Sequence, residues 1–426
     1  MFFVPRLRFV IPGLGLALLI SCSIGPDRAS EWDGAVRDSA GVEIVHNYGG
    51  PLWDEGDEWV LSEILRIGVA DGEPEYMFGR ISKIAILSDG RIVVFDGMAL
   101  HLRLFTPDGQ WQMTVGRPGE GPREFGGRGL SVLVGPGDTL LVVDGTNLRA
   151  NLIGSDGTWL DSWPAPVLEN GWMSQTWDYS PTGRIVTHRS QLPGTESDEP
   201  YTHDFVVIRY LDGLVGDTVG WVLAGQTAQV SEERMEVLLF AGEPTTSLCP
   251  DNSLITGRQD HYEIRRFGPT GNLEQVVRLD RGNAPITASE QTRLLQHHRE
   301  GYMQTGFGAA WVEDLLSGVH FTETYPAFAR LSCGPSGSIW VQPWRSVNSL
   351  ADDELPELMI GTESEASARF EVFDRQGKYL GEVPLPPDFR PYRFQGDHLY
   401  GRWRDSLDVE YAKVLKIEGI TPESGG

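Results

Sequence analysis

Short β-rich runs along this chain end in residues that could do chemistry. Two of the runs end in Asp96 and Asp144. Later runs end in His188 and Arg189, in Arg258, in Gln342 followed by Trp344 and Arg345, and in Arg402 and Arg404. A guanidinium is planar and charged at all ordinary pH, and it grips carboxylate or sulfate oxygens bidentately. A one-sided arginine series at strand ends therefore points to capture of an acid group on a ligand, such as an acidic sugar. The competing reading is that these arginines pair with Asp and Glu of neighbouring elements. The series stands out against its background. The formal net charge is −25 with a pI near 4.7, and only four of the 35 basic residues are lysine. So acidic a chain repels phosphate backbones, which argues against nucleic acid as a partner.

The aspartates admit a metal reading, because calcium takes oxygen ligands. An Asp before a glycine turn more simply caps that turn. The adjacent His297 and His298, with Glu300 or Glu313, suggest zinc only weakly, since adjacent histidines on a helix point in different directions. No G-x-S-x-G lies between a strand and a helix, and no nucleophile motif can be assigned. No metal and no cofactor is expected.

The elements that must position these residues come from diverged internal repeats. The segments beginning "LSDGRIVVFDG", "GPGDTLLVVDG", "SPTGRIVTHRS", "CPDNSLITGRQ", "GPSGSIWVQPW" and "FQGDHLYGRWR" share one rhythm of turn, short β run, turn and β run. Asp-Gly, Thr-Gly and Ser-Gly recur at the tight turns, where glycine accepts positive φ. The β runs are rich in Val, Ile, Leu and aromatics. Strands such as "ISKIAIL" (81–87) and "PAFARLSC" (326–333) open each unit. The expected fold is all-β: a six-bladed β-propeller of four-stranded antiparallel blades. The sixth unit has three strands before the chain ends. The N-terminal strand "EWVLSEILRIG" (58–68) is expected to close it and remove the open edges. A pair of β-sandwich domains is the alternative, and length alone would suggest about two or three domains.

In such a blade the a–b and c–d turns share one face, and the b–c turns and d–a linkers share the other. The long insertions, 190–204, 345–369 and 287–323, all fall on the second face, as do the arginine-bearing strand ends. Loops on a rigid scaffold commonly carry function. The 287–323 insertion, between blades 4 and 5, reads as a small helical unit. Thr287 and Glu290 make a T-x-x-E capping box, and "AAWVEDLL" (309–316) is a second short helix. A protein-binding module would instead show an aromatic face, and Trp311, Trp344 and Trp403 sit where it would be.

"GRPGEGPREFGG" (116–127) could pass for a phosphate loop, but it leads into a strand rather than a helix and lacks the Lys and Ser/Thr. Its twin "IGVADGEPEYMF" (67–78) marks it as the connection from one blade's outer strand to the next blade's inner strand. "GRPGEGPREF", with "FTPDGQW" before it, resembles bacterial six-bladed propeller lipoproteins that carry a G-x-G-P-G-E-F-like linker, with Arg123 in place of a glycine. "VVDGTNLRA" (142–150) is similar to NHL repeats, and the repeat family also looks TolB-like. The resemblance covers roughly residues 35–419. It implies fold and says little about activity. Likeness to six-bladed lactonases and amidating lyases is weaker. They use acidic, Asn or His metal ligands in the tunnel, where this chain places arginine.

The N-terminus looks like a targeting segment. Arg6 and Arg8 precede an apolar run that stops at Leu19-Ile20-Ser21-Cys22, the pattern of a lipoprotein signal with Cys22 as the lipidated residue. Removing residues 1–21 takes the formal charge from −25 to −27. The expected divisions are a signal peptide (1–21), an anchor linker and N-terminal segment (22–57), the propeller (58–419) and a tail (420–426). The expected location is exported and membrane-anchored through Cys22, either periplasmic or on the cell surface, as a monomer. Export would allow a disulfide between Cys249 and Cys333, which precede equivalent turns of adjacent units. Two free thiols remain the alternative if the inner strands lie too far apart.

Two functions follow, beside a purely structural role in the cell envelope. In the first, a binding or scaffold module takes a small anionic ligand, a glycan or a protein partner on the elaborated face, through His188, Arg189, Arg258, Trp344, Arg345, Arg402 and Arg404. In the second, a hydrolase or lyase works in the central funnel, with an acidic sugar as its substrate.

Overall fold

The computed structural model describes residues 32–127, 130–164, 245–352, 355 and 367–420, together with a set of strands between 172 and 240 known mainly by their backbone. Among the described residues, six sheets contain four antiparallel strands each, in sequence order from the inside out in all but the last. Blade 1 is built from Ile81–Ile86, Ile92–Asp96, His101–Phe105 and Trp111–Val115. Blade 2 runs from Leu130–Val134 to Trp159–Pro164, blade 3 from Trp172–Tyr179 to Leu214–Thr227, and blade 4 from Thr245–Leu248 to Leu273–Leu279. Blade 5 runs from Phe328–Cys333 to Tyr379–Pro384. Blade 6 combines Phe389–Gln395, His398–Arg404 and Glu410–Glu418 with Val60–Ile67 from the N-terminal side. The first strands touch in the order of blades 1, 2, 3, 4, 5, 6 and back to 1, so they enclose a central axis. This is a β-propeller.

The strand Val60–Ile67 pairs antiparallel with Glu410–Glu418, as its apolar pattern predicts. Joining the two ends of the chain in one sheet makes this N-terminal strand the outermost of blade 6 and completes its four strands. Packing between blades is apolar. Phe95 and Phe125, both buried, meet edge-on with centroids 6.0 Å apart. Gly109 in the "PDGQ" turn has φ +86°, and a side chain there would press on Leu65 and Ile67 of the preceding sheet, so glycine is required twice over.

The residues assigned to an N-terminal linker hold a feature the repeat pattern does not show. Gly34–Ser39 and Val42–Asn47 form a hairpin, and its second strand pairs parallel with Leu273–Leu279. Blade 4 is thereby widened to six strands. Asn47 locks the hairpin in place. Its amide donates to the Arg278 carbonyl at 3.0 Å and the Gly377 carbonyl at 2.9 Å, and its oxygen accepts from the Tyr379 amide at 2.7 Å. One side chain thus ties the hairpin to blades 4 and 5.

The same seam carries a disulfide. Cys249 and Cys333, on adjacent inner strands, are bonded with Cα atoms 5.4 Å apart. Inner strands converge on the axis, which brings them within disulfide reach.

The insertion contains helix α1 (Ala288–Gln304) and helix α2 (Ala309–Ser317). Thr287 and Glu290 form the reciprocal capping box. Leu294 of α1 packs with Val347, Leu350 and Leu355 from the blade 5 insertion, and Arg293 donates to the Val347 carbonyl at 2.6 Å. Val319–Phe321, after α2, pairs parallel with Val237–Leu239. The 287–323 insertion and the described part of the 345–369 insertion thus pack together, while most of the 190–204 loop lies outside the described residues.

Candidate functional site

The twin linkers are held in matching ways. Asp96 ends the second strand of blade 1 and is fully buried. Its carboxylate accepts from the amides of Gly79, Arg80, Met98 and Ala99, between 3.0 and 3.2 Å. Asp144, at the same place in blade 2, accepts from Gly126 at 2.9 Å and from Thr146 and Asn147 at 3.1 and 3.0 Å. Each aspartate ties the incoming linker to its own second turn, so its oxygens are occupied by the chain. Burial would raise the Asp96 carboxyl, but the amide donors outweigh it and hold the group below the usual carboxylate range. The second-strand partners are completed by arginines on third strands. Arg103 donates to the Met77 carbonyl at 2.8 Å, and Arg149 to the Gly121 carbonyl at 2.8 Å. "GRPGEGPREF" is a strapped connection between blades.

The nominated arginines divide. Arg258 is held by Asp260 two residues along, through Nη2 at 2.8 Å and Nε at 3.3 Å. Arg345 donates to the Ser349 carbonyl at 2.8 Å. Gln342 is buried and donates to the Ser367 carbonyl at 2.9 Å. His188 and Arg189 lie on the strand Ile185–Gln191, and their side chains are outside the described residues. Trp344 packs edge-on to Phe240 at 6.0 Å in the core beneath the insertions. Trp403 is covered by Arg66 and Lys413, 4.6 and 3.9 Å from its ring. Trp311 is 46% exposed and stacks on Phe307 at 4.3 Å. Of these three tryptophans, Trp311 alone is largely exposed. On α1 and α2, Glu300 accepts from Gln296 and Glu313 from Arg299, so neither acid is aimed at a histidine pair.

Arg402 and Arg404 share a buried acid, Glu410, at 3.0 and 3.3 Å. The other oxygen of Glu410 accepts from the Ile81 amide at 2.5 Å. Arg402 retains a buried Nε with no acceptor among the described residues. Opposite Arg402 in the sheet stands Arg390, on the innermost strand of blade 6. Burial depresses the Arg390 guanidinium to about 9, and the positive charges of Arg330 and Arg402 add to the effect, against Tyr392 and Glu410. Arg390 also lies over the Tyr392 ring at 5.4 Å, and the Tyr392 hydroxyl donates to the Ile81 carbonyl at 3.0 Å.

Arg390 thus faces Arg402 across one strand pair, and Arg330, on the neighbouring inner strand of blade 5, acts on it electrostatically. The sequence pattern picks out Arg402 but misses Arg330 and Arg390, because it looks only at the ends of second strands. The available signal is a basic residue inside a first strand that is otherwise apolar, as in "FARLSC" and "FRPYRF".

A second buried polar cluster lies between blades 4 and 5. The Tyr262 hydroxyl donates to Glu371 at 2.7 Å, and Arg281 also donates to Glu371. Burial, then Glu371, pushes Tyr379 beside it up to about 12. Tyr262 and Glu371 are almost wholly enclosed, so this cluster joins blades rather than meeting a ligand.

No protein-family model matches the chain, and no curated protein matches it. Solved structures are distantly similar. A protein assigned as exported, from Bacteroides fragilis NCTC 9343, is 11% identical over 88% of this chain and 99% of its own, with a TM-score of 0.49. Virginiamycin B lyase from Staphylococcus aureus is 11% identical over 84% and 99%, with a TM-score of 0.42. A gluconolactonase from Xanthomonas campestris is 12% identical over 84% and 99%, with a TM-score of 0.38. At such scores nothing about ligand or activity passes from these proteins to this chain.

Proposed function

We propose that this chain is an exported, lipid-anchored β-propeller that binds a small anionic ligand, with the acid group held by Arg330, Arg390 and Arg402. One observation carries the reading. Arg390 stands opposite Arg402 in blade 6, Arg330 lies on the adjacent inner strand of blade 5, and the carboxylate among the groups acting on Arg390, Glu410, is already shared with Arg404 and the Ile81 amide. Holding cations together away from water is costly, and a bound oxyanion offsets that cost with charge-assisted hydrogen bonds. The Nε of Arg402 supplies a buried donor with no partner among the described residues. Arg258, engaged by Asp260, is a surface ion pair in this account and not a ligand group.

The test is calorimetric titration of the mature chain with D-galacturonate and with sulfate, followed by mass spectrometry of the galacturonate. Binding that disappears in Arg390→Ala supports the reading. Absence of heat with both probes contradicts it. Unchanged galacturonate identifies a binding module, whereas an altered product identifies the hydrolase or lyase alternative.

A further inference from the structure

The turn between α1 and α2 gathers apolar side chains that the fold leaves uncovered. Every residue from 303 to 311 is exposed, in the sequence Met-Gln-Thr-Gly-Phe-Gly-Ala-Ala-Trp. No charged residue stands between Glu300 and Glu313, in a chain of which 22% is charged. Met303, Phe307 and Trp311 are 47, 47 and 46% exposed. The turn is built from its own residues. The Phe307 amide donates to the Tyr302 carbonyl and the Gly306 amide to the Met303 carbonyl, both at 3.2 Å. Phe307 stacks on Trp311, and Tyr302 meets both rings edge-on, with centroids 6.1 and 5.9 Å away. The rings are thus held as a platform. Exposed apolar residues are ordinary when scattered singly, whereas a contiguous patch marks a surface that meets something.

The N-terminal hairpin shows which end of the propeller the preceding chain comes from. Gly34 pairs with Asn47, and Asn47 stands opposite Leu279, the last residue of the fourth strand of blade 4. The Tyr48 amide donates to the Asp33 carbonyl at 2.9 Å, and Trp32 Nε1 donates to Asn47 Oδ1 at 2.8 Å. Trp32 therefore lies at the end of blade 4 from which the chain leaves Leu279 for α1. Ten steps of chain separate it from Cys22, a reach of at most about 35 Å. Helix α1, with 17 residues, spans about 25 Å. A lipid on Cys22 would hold this end of the propeller, with its helical insertion, close to the bilayer. The composition of the turn suits that neighbour. Trp, Phe and Met enter the headgroup boundary readily, and charged groups enter it at a cost. A charged protein surface would call for complementary charge, which the turn lacks.

We propose that the α1–α2 turn seats Met303, Phe307 and Trp311 in the headgroup boundary of the bilayer that holds Cys22. This second contact is non-covalent. A lipid on Cys22 fixes one point of the chain, and the turn fixes which end of the propeller faces the membrane. The inference rests on the lipid-anchored part of the proposed function and is independent of the anion site.

The experiment places an environment-sensitive NBD dye on Met303→Cys in the full chain, processed to its lipidated form. With Cys22 lipidated and Cys249 bonded to Cys333, the introduced thiol is the reactive one. The protein is reconstituted in vesicles of equimolar phosphatidylcholine and phosphatidylethanolamine, with and without a spin label near the glycerol end of the acyl chain. Flotation with the vesicles and mass spectrometry of the N-terminus test the anchor separately. The chain is expected to float, with dye emission shifted to the blue and quenched by the lipid-borne label. The same dye on Thr270→Cys, exposed in the turn between the third and fourth strands of blade 4 at the opposite face, should show neither effect. Adding Phe307→Ser and Trp311→Ser to Met303→Cys should abolish both effects while the chain still floats, with circular dichroism unchanged. A floating chain whose dye at position 303 stays unshifted and unquenched overturns the docking and leaves the anchor standing. A blue shift that the lipid-borne label does not quench, and that grows with protein concentration, identifies a second copy as the occupant and overturns the docking too. A chain that carries no lipid and does not float overturns the anchor and the docking together.

Discussion

Arg402 Nη1 lies 3.0 Å from Glu410 Oε1, while Glu410 Oε2 accepts from the Ile81 amide at 2.5 Å. One carboxylate therefore spans the seam between blade 6 and blade 1, the seam where the chain closes on itself. An arginine nominated for ligand binding is at the same time part of this closure. Replacing Glu410 by Ala leaves Arg402 without its acid and the Ile81 amide without an acceptor. We predict a loss of about 3 kcal/mol in stability, the order expected when one partner of a buried pair is removed. Chemical denaturation of the variant checks it, and a change below 0.5 kcal/mol, as at ordinary surface sites, would contradict it.

Arginine variants should separate ligand groups from surface pairs. Arg390→Ala is expected to weaken galacturonate binding about 10–100-fold, the range of one or two charge-assisted hydrogen bonds. Arg258→Ala should leave binding within twofold and stability within about 0.5 kcal/mol, because its partner Asp260 is exposed and a surface pair contributes little. Equal losses in both variants would mean that the arc of strand-end arginines acts as one field.

Much of the fold is legible in the sequence because turn chemistry and β alternation are local. The closing strand at Val60–Ile67, the strapped "GEGP" linker and the Thr287–Glu290 capping box all follow from short stretches. The arginine pairings are not legible in that way. Glu410 meets Arg402 only through the register of two strands, and Ile81 only because the chain closes into a ring more than 300 residues later. The hairpin Gly34–Asn47 carries no repeat signature, since it adds to blade 4 from outside the repeat. Arg330 and Arg390 escape notice because their strands look like ordinary buried inner strands.

Asp96 gives a pH signature. Its folded carboxyl is held below its ordinary value, so its contribution to stability is fully present above the unfolded pKa of about 3.9 and is lost as pH falls through the lower folded value. Acid unfolding below pH 4 should therefore shift to a shallower pH dependence in Asp96→Asn, at a cost of about 1–3 kcal/mol near neutrality from amides left with a poorer acceptor. Identical acid limbs for wild type and variant would show that Asp96 does not titrate with unfolding.

The Cys249–Cys333 bond closes a loop with a sequence separation of 84. Reduction, or the Cys249→Ser, Cys333→Ser double variant, should cost about 2–4 kcal/mol. Thiol titration of the denatured, unreduced Cys22→Ser chain should find no free thiol. Two thiols per chain would contradict the bond.

The most direct test of the central claim is a crystal structure of the mature protein soaked in D-galacturonate. The account predicts sugar density with its carboxylate within hydrogen-bond distance of Arg390 and Arg402, beside Arg330. A channel in which these three guanidiniums are closed off by carboxylates of the chain itself, with no sugar bound, would contradict it.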